Sequence, residues 1–374
     1  MNIGIDGNEA NLSRRVGVGQ FGYQLLTHLY LQDSTNNYTI YLKSAPLPDM
    51  PPPRPNWRYL VFGPSPMWTK FALPLRLFFS LKRPDYFYSL GHYSPHFSPV
   101  PVIPTIHDLG YLDTPSQFTQ KDYYQLVNWT RRSISKATHI AAVSEFTKNE
   151  IIRIYKVDPA SISVIPNGVD PPPSFTKTEA ELTLKKFHIK SPYFLTVGTL
   201  KPNKNIPLLL EAFSLYLKTN PSPSPILVIA GKKGWLFDEI FSTVTRLNLK
   251  NNVIFTDFIT ESEKWHLYSR ATASLLVSTY EGFGIPVIES QIVGTPVIAS
   301  SIPALIEVLK TNALFVDPTN AASISEAMTE ISKPTKRQAL SVAGVKSAST
   351  YSWNNSAQLL IKMFSQLFGR VKLK

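Results

Sequence analysis

The sequence STYEGFGIPVIE at residues 278–289 predicts the end of a buried strand, a loop with two glycines and the start of a helix. Pro286 in the first helical turn favours this assignment. A helix start presents backbone N–H groups and the positive end of the helix dipole, which suit a phosphate. Glu281 precedes this anion site and Glu289 lies one turn into the helix, so a nucleotide-sugar would place hydroxyl groups near each carboxylate. The alternative is a tight turn with two solvated glutamates.

Short apolar runs alternate with stretches of helical period along the rest of the chain, which is typical of βαβ units around a parallel sheet. The 374 residues exceed a usual single core and suit two such domains. A turn followed by three prolines at residues 166–173 marks the boundary between them. We therefore expect an N-terminal Rossmann-like domain at residues 1–170, a linker at 171–190, a C-terminal Rossmann-like domain at 191–351 and an amphipathic C-terminal helix at 352–374.

The composition restricts the possible chemistry. The formal net charge of +12 indicates an anionic partner, which is a nucleic acid, a membrane surface or a phosphorylated substrate. The absence of cysteine from the sequence excludes disulfides, thiolate metal sites and a cysteine nucleophile. No apolar stretch approaches the roughly 20 residues of a membrane-spanning helix. The first residues lack the basic leader and apolar run of a signal peptide, so we expect a cytoplasmic location.

Glu281 and Glu289, with seven residues between them, resemble the paired-glutamate signature of retaining glycosyltransferase family 4, whose members have the GT-B fold. Further stretches resemble the same family in the same order: GVG at 17–19, IHD at 106–108, VSEF at 143–146, IPNGV at 165–169, VGTLKPNKN at 197–205, GKKGW at 231–235 and ALFVDP at 313–318. The resemblance covers nearly the whole chain. It implies two Rossmann-like domains whose parallel sheets face each other across a cleft, with the C-terminal helix crossing back to the first domain.

The resemblance also implies a role for individual residues. Glu289 would bind the ribose hydroxyls, Glu281 would face the donor hexose, and Lys204 would neutralise the diphosphate, whose charge grows as it leaves. Backbone amides at Phe283 and Gly284 would lie near the distal phosphate or the sugar. The other donor-binding residues that we expect are Gly17, Gly19, Gly198, Thr199, Asn203, Phe258 and Ile285.

His107 completes the expected catalytic set with Lys204 and Glu281, because Asp108 is adjacent, the family resemblance includes this stretch and the unperturbed pKa of histidine lies near neutrality. It would contact the donor sugar or handle a proton. Taken without the resemblance, each of these features has a structural interpretation. A histidine after a strand is more often structural, and a lysine in a loop is more often an ordinary surface residue. Gly17 and Gly19 would then only allow the chain to enter a helix. Asn203 departs from the family, which usually has an arginine there, and it brings no charge. Lys201 or Lys232 would substitute for that charge, or the donor is held more weakly.

The expected function is metal-independent, retaining transfer of a hexose from a GDP- or UDP-sugar to a glycan or lipid-linked acceptor in polysaccharide biosynthesis. Mannose from GDP-mannose is the leading donor, because the loops at residues 197–205 and 231–235 resemble those of mannosyltransferases. No metal or other cofactor is expected, since the sequence has no Asp-x-Asp pair. The alternatives are a sugar-nucleotide epimerase or phosphorylase on the same fold and, more distantly, a basic nucleic-acid-binding protein. The dispersed charges and the lack of a recognised nucleic-acid-binding motif stand against the last.

Two adjacent segments of the first domain have unusual composition. Residues 46–66 are rich in proline and are expected to form a surface loop. Residues 68–83 mix aromatic, aliphatic and basic side chains, and a helix that packs on the first domain is the favoured interpretation. The alternative is peripheral contact with an anionic membrane, and Pro74 would kink a continuous amphipathic helix in either case.

Overall fold

The short apolar runs form strands of two sheets in a computed structural model that describes residues 1–190, 192–220 and 225–372. The strands of the first sheet are β1 (Asn2–Asp6), β2 (Asn37–Leu42), β3 (Trp57–Val61), β4 (Tyr86–Ser89), β5 (Val102–Ile106), β6 (Ile140–Ala142) and β7 (Ile162–Val164). The strands of the second sheet are β8 (Tyr193–Val197), β9 (Ile226–Ala230), β10 (Val253–Asp257), β11 (Ala273–Leu276), β12 (Val297–Ser300) and β13 (Leu314–Val316).

Helices connect these strands. They are α1 (Val18–Gln32), α2 (Ala72–Phe78), α3 (Gln120–Lys136), α4 (Glu145–Tyr155), α5 (Lys177–Lys186), α6 (Ile206–Thr219), α7 (Asp238–Arg246), α8 (Glu261–Arg270), α9 (Ile285–Ile292), α10 (Pro303–Leu309), α11 (Ala321–Ser332), α12 (Pro334–Ala348) and α13 (Trp353–Lys372). None of them, over the part of the chain that the structure describes, combines the length and apolarity needed to cross a bilayer.

The chain divides into two units, and the first is assembled from both ends of the sequence. The first unit contains Met1–Gly168 and Ser352–Lys374, and the second contains Val169–Tyr351. Within the first unit α13 packs against α1. The ring of Phe364 meets that of Tyr88 at 5.7 Å, which buries the apolar face that the helical periodicity predicts.

All strand pairs in both sheets are parallel, and each sheet has one point where the strand order reverses. The first sheet has the order β3-β2-β1-β4-β5-β6-β7 and reverses between β1 and β4. The second has the order β10-β9-β8-β11-β12-β13 and reverses between β8 and β11. Ligands of open α/β sheets bind outside the carboxyl ends of the strands at such a point. The prediction of two Rossmann-like sheets is therefore confirmed, and each sheet has one place for a site.

Two segments differ from expectation. The proline-rich segment 46–66 contains β3, because proline is tolerated beside an edge strand and the sequence WRYLV pairs with β2. The expected linker 171–190 contains α5, which packs against α8, and the Thr183 hydroxyl lies 2.7 Å from Nδ1 of His266. Residues 171–190 therefore belong to the second unit.

Candidate functional site

Two loops flank the reversal point of the second sheet and are tied together. The first follows β8 at residues 198–204, and the second follows β11 at residues 277–284. The backbone N–H of Thr279 donates to the carbonyl oxygen of Asn203 at 2.9 Å. The Asn203 side-chain amide donates to the carbonyl oxygen of Tyr280 at 3.2 Å. Asn203 therefore joins the two loops through its carbonyl oxygen and its side-chain amide. The arginine that is usual in the family has a longer, charged side chain in place of that amide.

A close backbone contact fixes the loop after β8. The N–H of Gly198 donates to the carbonyl oxygen of Ala230 at 2.9 Å, and a Cβ atom on Gly231 would lie only 1.9 Å from the carbonyl oxygen of Gly198. The next loop then returns to the first, since the N–H of Leu200 donates to the carbonyl oxygen of Lys232 at 2.9 Å. Only glycine at position 231 allows the ends of β8 and β9 to approach so closely.

Helix α9 begins at the reversal point with unpaired donors. Its N-cap, Gly284, has φ +98°, a conformation that side chains disfavour. Phe283 is buried and packs edge-on against Tyr351 with ring centroids 5.5 Å apart. Among the described residues, the backbone N–H groups of Phe283, Gly284 and Ile285 meet no protein acceptor. Free backbone donors therefore lie at the helix start for which the sequence predicts an anion site.

Lys204 and Glu281 form an ion pair beside this helix end. Nζ of Lys204 lies 2.5 Å from Oε1 of Glu281, and the Ser278 hydroxyl donates to the same oxygen at 2.7 Å. The side chain of Lys204 passes over Gly198, where a Cβ atom would lie 3.5 Å from its Cε. Both partners keep a small exposed fraction, 17% for the lysine side chain and 13% for the glutamate. A ligand that reaches the helix end therefore meets both charges.

Glu289 is paired with a lysine that the sequence did not single out. Nζ of Lys264 on α8 lies 2.6 Å from Oε1 of Glu289 and 2.8 Å from Oε1 of Glu261. Burial raises the pKa of Glu289, while the Lys264 charge opposes that rise. Burial works against the charge on Lys264, but the Glu289 and Glu261 carboxylates outweigh it and raise the pKa of Lys264. The two groups therefore shift each other's pKa inside a buried ion pair.

The remaining predicted donor-binding residues of the second unit also lie at the carboxyl ends of strands. Thr199 follows β8 and Phe258 follows β10, and both are half-buried. The chain turns sharply before Phe258, since Asp257 has φ +60° and its carbonyl oxygen accepts from the N–H of Gly231 at 3.0 Å. The predicted residues of this unit thus come from the same edge of one sheet.

Gly17, Gly19 and His107 belong to the first unit, where they follow β1 and β5. Gly17 is the N-cap of α1 with φ +52°, and a Cβ atom on Gly19 would lie 3.0 Å from the carbonyl oxygen of Glu9. Nε2 of His107 lies 2.8 Å from the carbonyl oxygen of Leu90. Because a carbonyl oxygen only accepts, this ring carries its hydrogen on Nε2 and leaves Nδ1 as an acceptor.

A second histidine, missed by sequence reasoning, supports the first. The backbone N–H of His107 donates to Nε2 of His92 at 3.1 Å, and the two rings stack with centroids 5.7 Å apart. Nε2 of His92 accepts, so its hydrogen lies on Nδ1, which is buried and meets no partner among the described residues. Burial lowers the pKa of His92 to about 4, and burial together with His92 lowers the pKa of His107 to about 4. We expected the pKa of His107 to lie near neutrality, and this expectation is wrong. The His107 ring carries no charge at physiological pH.

No motif marks Lys264 or His92. Lys264 lies within a helix, and its partner Glu289 is distant in sequence. His92 follows β4, a strand that the sequence analysis did not predict. Only their places in the chain could have pointed to these residues, because His92 follows strand β4 and Lys264 lies in the helix that follows strand β10.

Comparison with known proteins gives matches to both halves of the chain. Residues 181–345 match the family described as Glycosyl transferases group 1, and residues 30–172 match Glycosyltransferase Family 4. The O-antigen chain mannosyltransferase RfbU of Salmonella typhimurium is 34% identical over 227 residues, which are 61% of this chain and 60% of that protein. O-antigen chain mannosyltransferase B of Escherichia coli is 27% identical over 288 residues, 76% of this chain and 75% of that protein. The chain thus spans about 60% of the length of RfbU in this match.

Solved structures share the fold over almost the entire chain. Sucrose-phosphate synthase from Thermosynechococcus elongatus has a TM-score of 0.76 at 19% identity, covering 99% of this chain and 100% of that one. Anabaena Alr3699/HepE in complex with UDP-glucose has a TM-score of 0.75 at 18% identity, covering 98% of this chain and 100% of that one. At these identities the similarity concerns the fold alone.

Proposed function

The chain belongs to the group 1 and family 4 glycosyltransferases, and from this premise we propose that it transfers a hexose from a nucleotide-diphosphate sugar to a glycan or lipid-linked acceptor. We propose GDP-mannose as the donor, because RfbU and mannosyltransferase B are both named mannosyltransferases. UDP-glucose is the competing donor, since the HepE structure contains it.

One observation carries the proposal: the unpaired N–H groups at the start of α9 lie at the reversal point of a parallel sheet, with Lys204 on the adjacent loop. A diphosphate bound there gains fixed donors and a cation. Negative charge on the diphosphate increases as its bond to the sugar breaks, so these groups stabilise the transition state more than the ground state. The acceptor hydroxyl attacks from the face that the diphosphate leaves, and its proton passes to the departing phosphate oxygen, which gives retention at the sugar carbon.

The two carboxylates hold the polar ends of the donor in this proposal. Glu281 keeps a partly exposed carboxylate that accepts from hexose hydroxyls. Glu289 accepts from the ribose hydroxyls, and the Lys264 charge opposes the rise in the Glu289 pKa that burial causes. His107 remains a predicted contact of the donor sugar, acting through Nδ1 as an acceptor rather than as an acid.

We propose that the reaction needs no metal ion and no other cofactor. Lys204 and the α9 amides supply the positive charge that a divalent cation provides in other transferases. Activity that is unchanged by a chelator supports this assignment, and activity lost to a chelator and restored by Mg²⁺ or Mn²⁺ contradicts it.

The transfer itself is tested with purified protein, GDP-mannose, UDP-glucose and a panel of glycan acceptors. GDP or UDP should raise the melting temperature, because a ligand that binds only the folded state stabilises it. Lys204→Ala should lower kcat by about 100-fold, the effect of losing one preorganised stabilising group. Lys250→Ala removes an exposed lysine of the same unit and should leave kcat unchanged.

Two results would overturn the proposal. A folded protein that neither binds nor turns over any nucleotide-sugar is not this transferase. If Lys204→Ala turns over substrate at the wild-type rate, Lys204 does not stabilise the departing diphosphate. A product formed without an acceptor, or only with inorganic phosphate, would instead indicate an epimerase or a phosphorylase.

We also propose that the enzyme meets its acceptor at a membrane surface, through peripheral contact made by the first unit.

A further inference from the structure

Helix α2 of the first unit exposes an apolar face. Phe71, Leu75 and Phe78 share one side of the helix by their spacing, and about half of each side chain is exposed. Phe79 and Leu81 extend this face beyond the helix end, with exposed fractions of 76% and 103%. We call these five residues the α2 patch.

The other side of α2 packs on the first unit, so the helix is held in place. Ala72, Leu73 and Leu77 are buried in the same core as Trp68 and Phe87. Pro74 lies in the first turn, where its missing N–H has no helical partner to lose, and the helix continues past it to Phe78. The prediction of a helix that packs on the first domain is thus met on one face of α2, and the other face is uncovered.

The α2 patch is set in a region of uniform charge. Residues 50–84, which lie between Asp49 and Asp85, contain no acidic residue. Arg83 lies beside the patch, with its guanidinium carbon 5.7 Å from the Phe78 ring centroid, and Arg76 and Lys82 are exposed. The cations of this segment are Arg54, Arg58, Lys70, Arg76, Lys82 and Arg83.

A basic cleft adjoins the patch at its N-terminal end. Lys70, which directly precedes Phe71, lines a shallow cleft together with His96, Arg132 and Lys136, and none of the described lining residues is acidic. Burial and the charges of Arg132 and Lys70 lower the pKa of His96, which reports the positive potential there. The Ser94 hydroxyl in the same lining is buried without a partner among the described residues.

We propose that the α2 patch docks this protein on an anionic lipid bilayer, with the aromatic and leucine side chains among the acyl chains and the surrounding cations on lipid phosphates. Interfacial helices combine a face of Trp, Phe or Leu side chains with Lys and Arg residues beside it. The cations of the basic cleft add to the positive charge beside the patch.

A second copy of this chain is the less favourable occupant. A twofold contact brings the same surface of both copies together. It would therefore place the cations of residues 70–83 opposite each other with no acidic side chain in that segment to pair them. An anionic bilayer satisfies both the apolar face and its charge.

The inference rests on the membrane contact proposed above, but its experiment needs neither donor nor acceptor. The protein is floated with vesicles of phosphatidylcholine alone and with an equimolar mixture of phosphatidylcholine and phosphatidylglycerol. Wild type should bind the mixed vesicles at least tenfold more tightly than the neutral ones. Phe79→Ser/Leu81→Ser should weaken this binding about tenfold or more, and Arg76→Gln/Lys82→Gln about fivefold for each cation removed at low salt.

Matched variants elsewhere distinguish docking from a general effect of exposed residues. Leu31→Ser/Leu182→Ser removes leucines that are 68% and 58% exposed, and Lys185→Gln/Lys190→Gln removes exposed lysines. Both should float as wild type does. Every variant should keep the nucleotide-induced rise in melting temperature, so loss of docking stays separate from loss of transferase function.

The proposal is overturned if wild type ignores phosphatidylglycerol or if the patch variant still floats. It is also overturned if light scattering finds a wild-type dimer that Phe79→Ser/Leu81→Ser converts to a monomer while vesicle binding is absent. That last result would assign the patch to a second copy of the chain.

Discussion

The sequence predicted which residues of the second-unit site carry charge, but it did not predict which residues pair with them. The spacing of Glu281 and Glu289 and the loop around Lys204 drew attention to these residues before any fold was known. Their ion pairs were not predictable, because Lys204 meets Glu281 across 77 positions and Lys264 meets Glu289 across 25. Such contacts depend on which strands are neighbours in the sheet, and a single sequence does not specify this spatial order.

The two stacked histidines of the first unit give a prediction in pH. Ordinary histidine titrates near pH 6.5, whereas burial lowers the pKa of both His92 and His107 to about 4. Between these values the unfolded chain binds protons that the native chain does not, so both residues make folding less stable as the pH falls from about 6.5 to about 4. NMR titration of the imidazole Cε1–H signals should therefore find two rings that stay neutral down to about pH 5.

The variants His92→Gln and His107→Gln assign these two signals, because each removes one of them. A midpoint between about pH 6 and pH 7 for either ring would contradict the prediction. Asp6 complicates any test by stability alone, since burial raises its pKa to about 6 and its contribution is lost as the pH rises, opposite in sign to the histidines.

Secondary-structure elements were predictable where the chain is apolar and regular. The strands at residues 102–106 and 193–197 have the bounds that their apolar runs indicate. Strand β3 was hidden by the prolines around it, and β4 is only four residues long. Helix α2 was ambiguous because both of its faces are apolar, and periodicity cannot say which face is covered.

Gly231 gives a prediction for the ends of β8 and β9. In Gly231→Ala the new methyl group would meet the backbone oxygen of Gly198, and no side-chain rotation can relieve that overlap. We expect a loss of about 1–3 kcal/mol in the free energy of unfolding, the usual cost of overpacking. Urea unfolding measures this loss, and nucleotide affinity should fall with it because the loop that carries Lys204 is displaced.

Gly91→Ala is the control for this substitution. A Cβ atom there would lie 3.5 Å from Val18 Cγ1, an ordinary contact, and Gly91 does not have a positive φ. Equal stability losses in the two variants would mean that the close approach of the strand ends has no special cost.

At the scale of the whole molecule, the order of strands and helices was sufficient to predict two parallel sheets. The amphipathic period of residues 352–374 predicted a packed helix, and the family resemblance supplied its destination. Neither the helical period nor the family resemblance predicts which side chains contact this helix, because Phe364 and Tyr88 are 276 positions apart in the sequence.

The C-terminal helix gives a prediction for the first unit. Phe364 is fully buried, so Phe364→Ala should cost about 3–5 kcal/mol, as large-to-small changes in a core do. Hydrogen exchange measured by mass spectrometry should show faster exchange in peptides from residues 1–168 and no change in residues 192–220 and 225–351. Gln366→Ala changes an exposed position of the same helix and should leave exchange as it is. Faster exchange confined to the second unit would contradict this assignment.

The discontinuous make-up of the first unit has a consequence for biosynthesis. Its seven strands leave the ribosome first, yet the helix that covers them is translated only after every residue of the second unit has been made. Nascent chains usually fold domain by domain from the amino terminus. Here the later unit can complete its core while the earlier one still lacks α13, so the side of α1 that packs against α13 stays uncovered until translation reaches the end of α13.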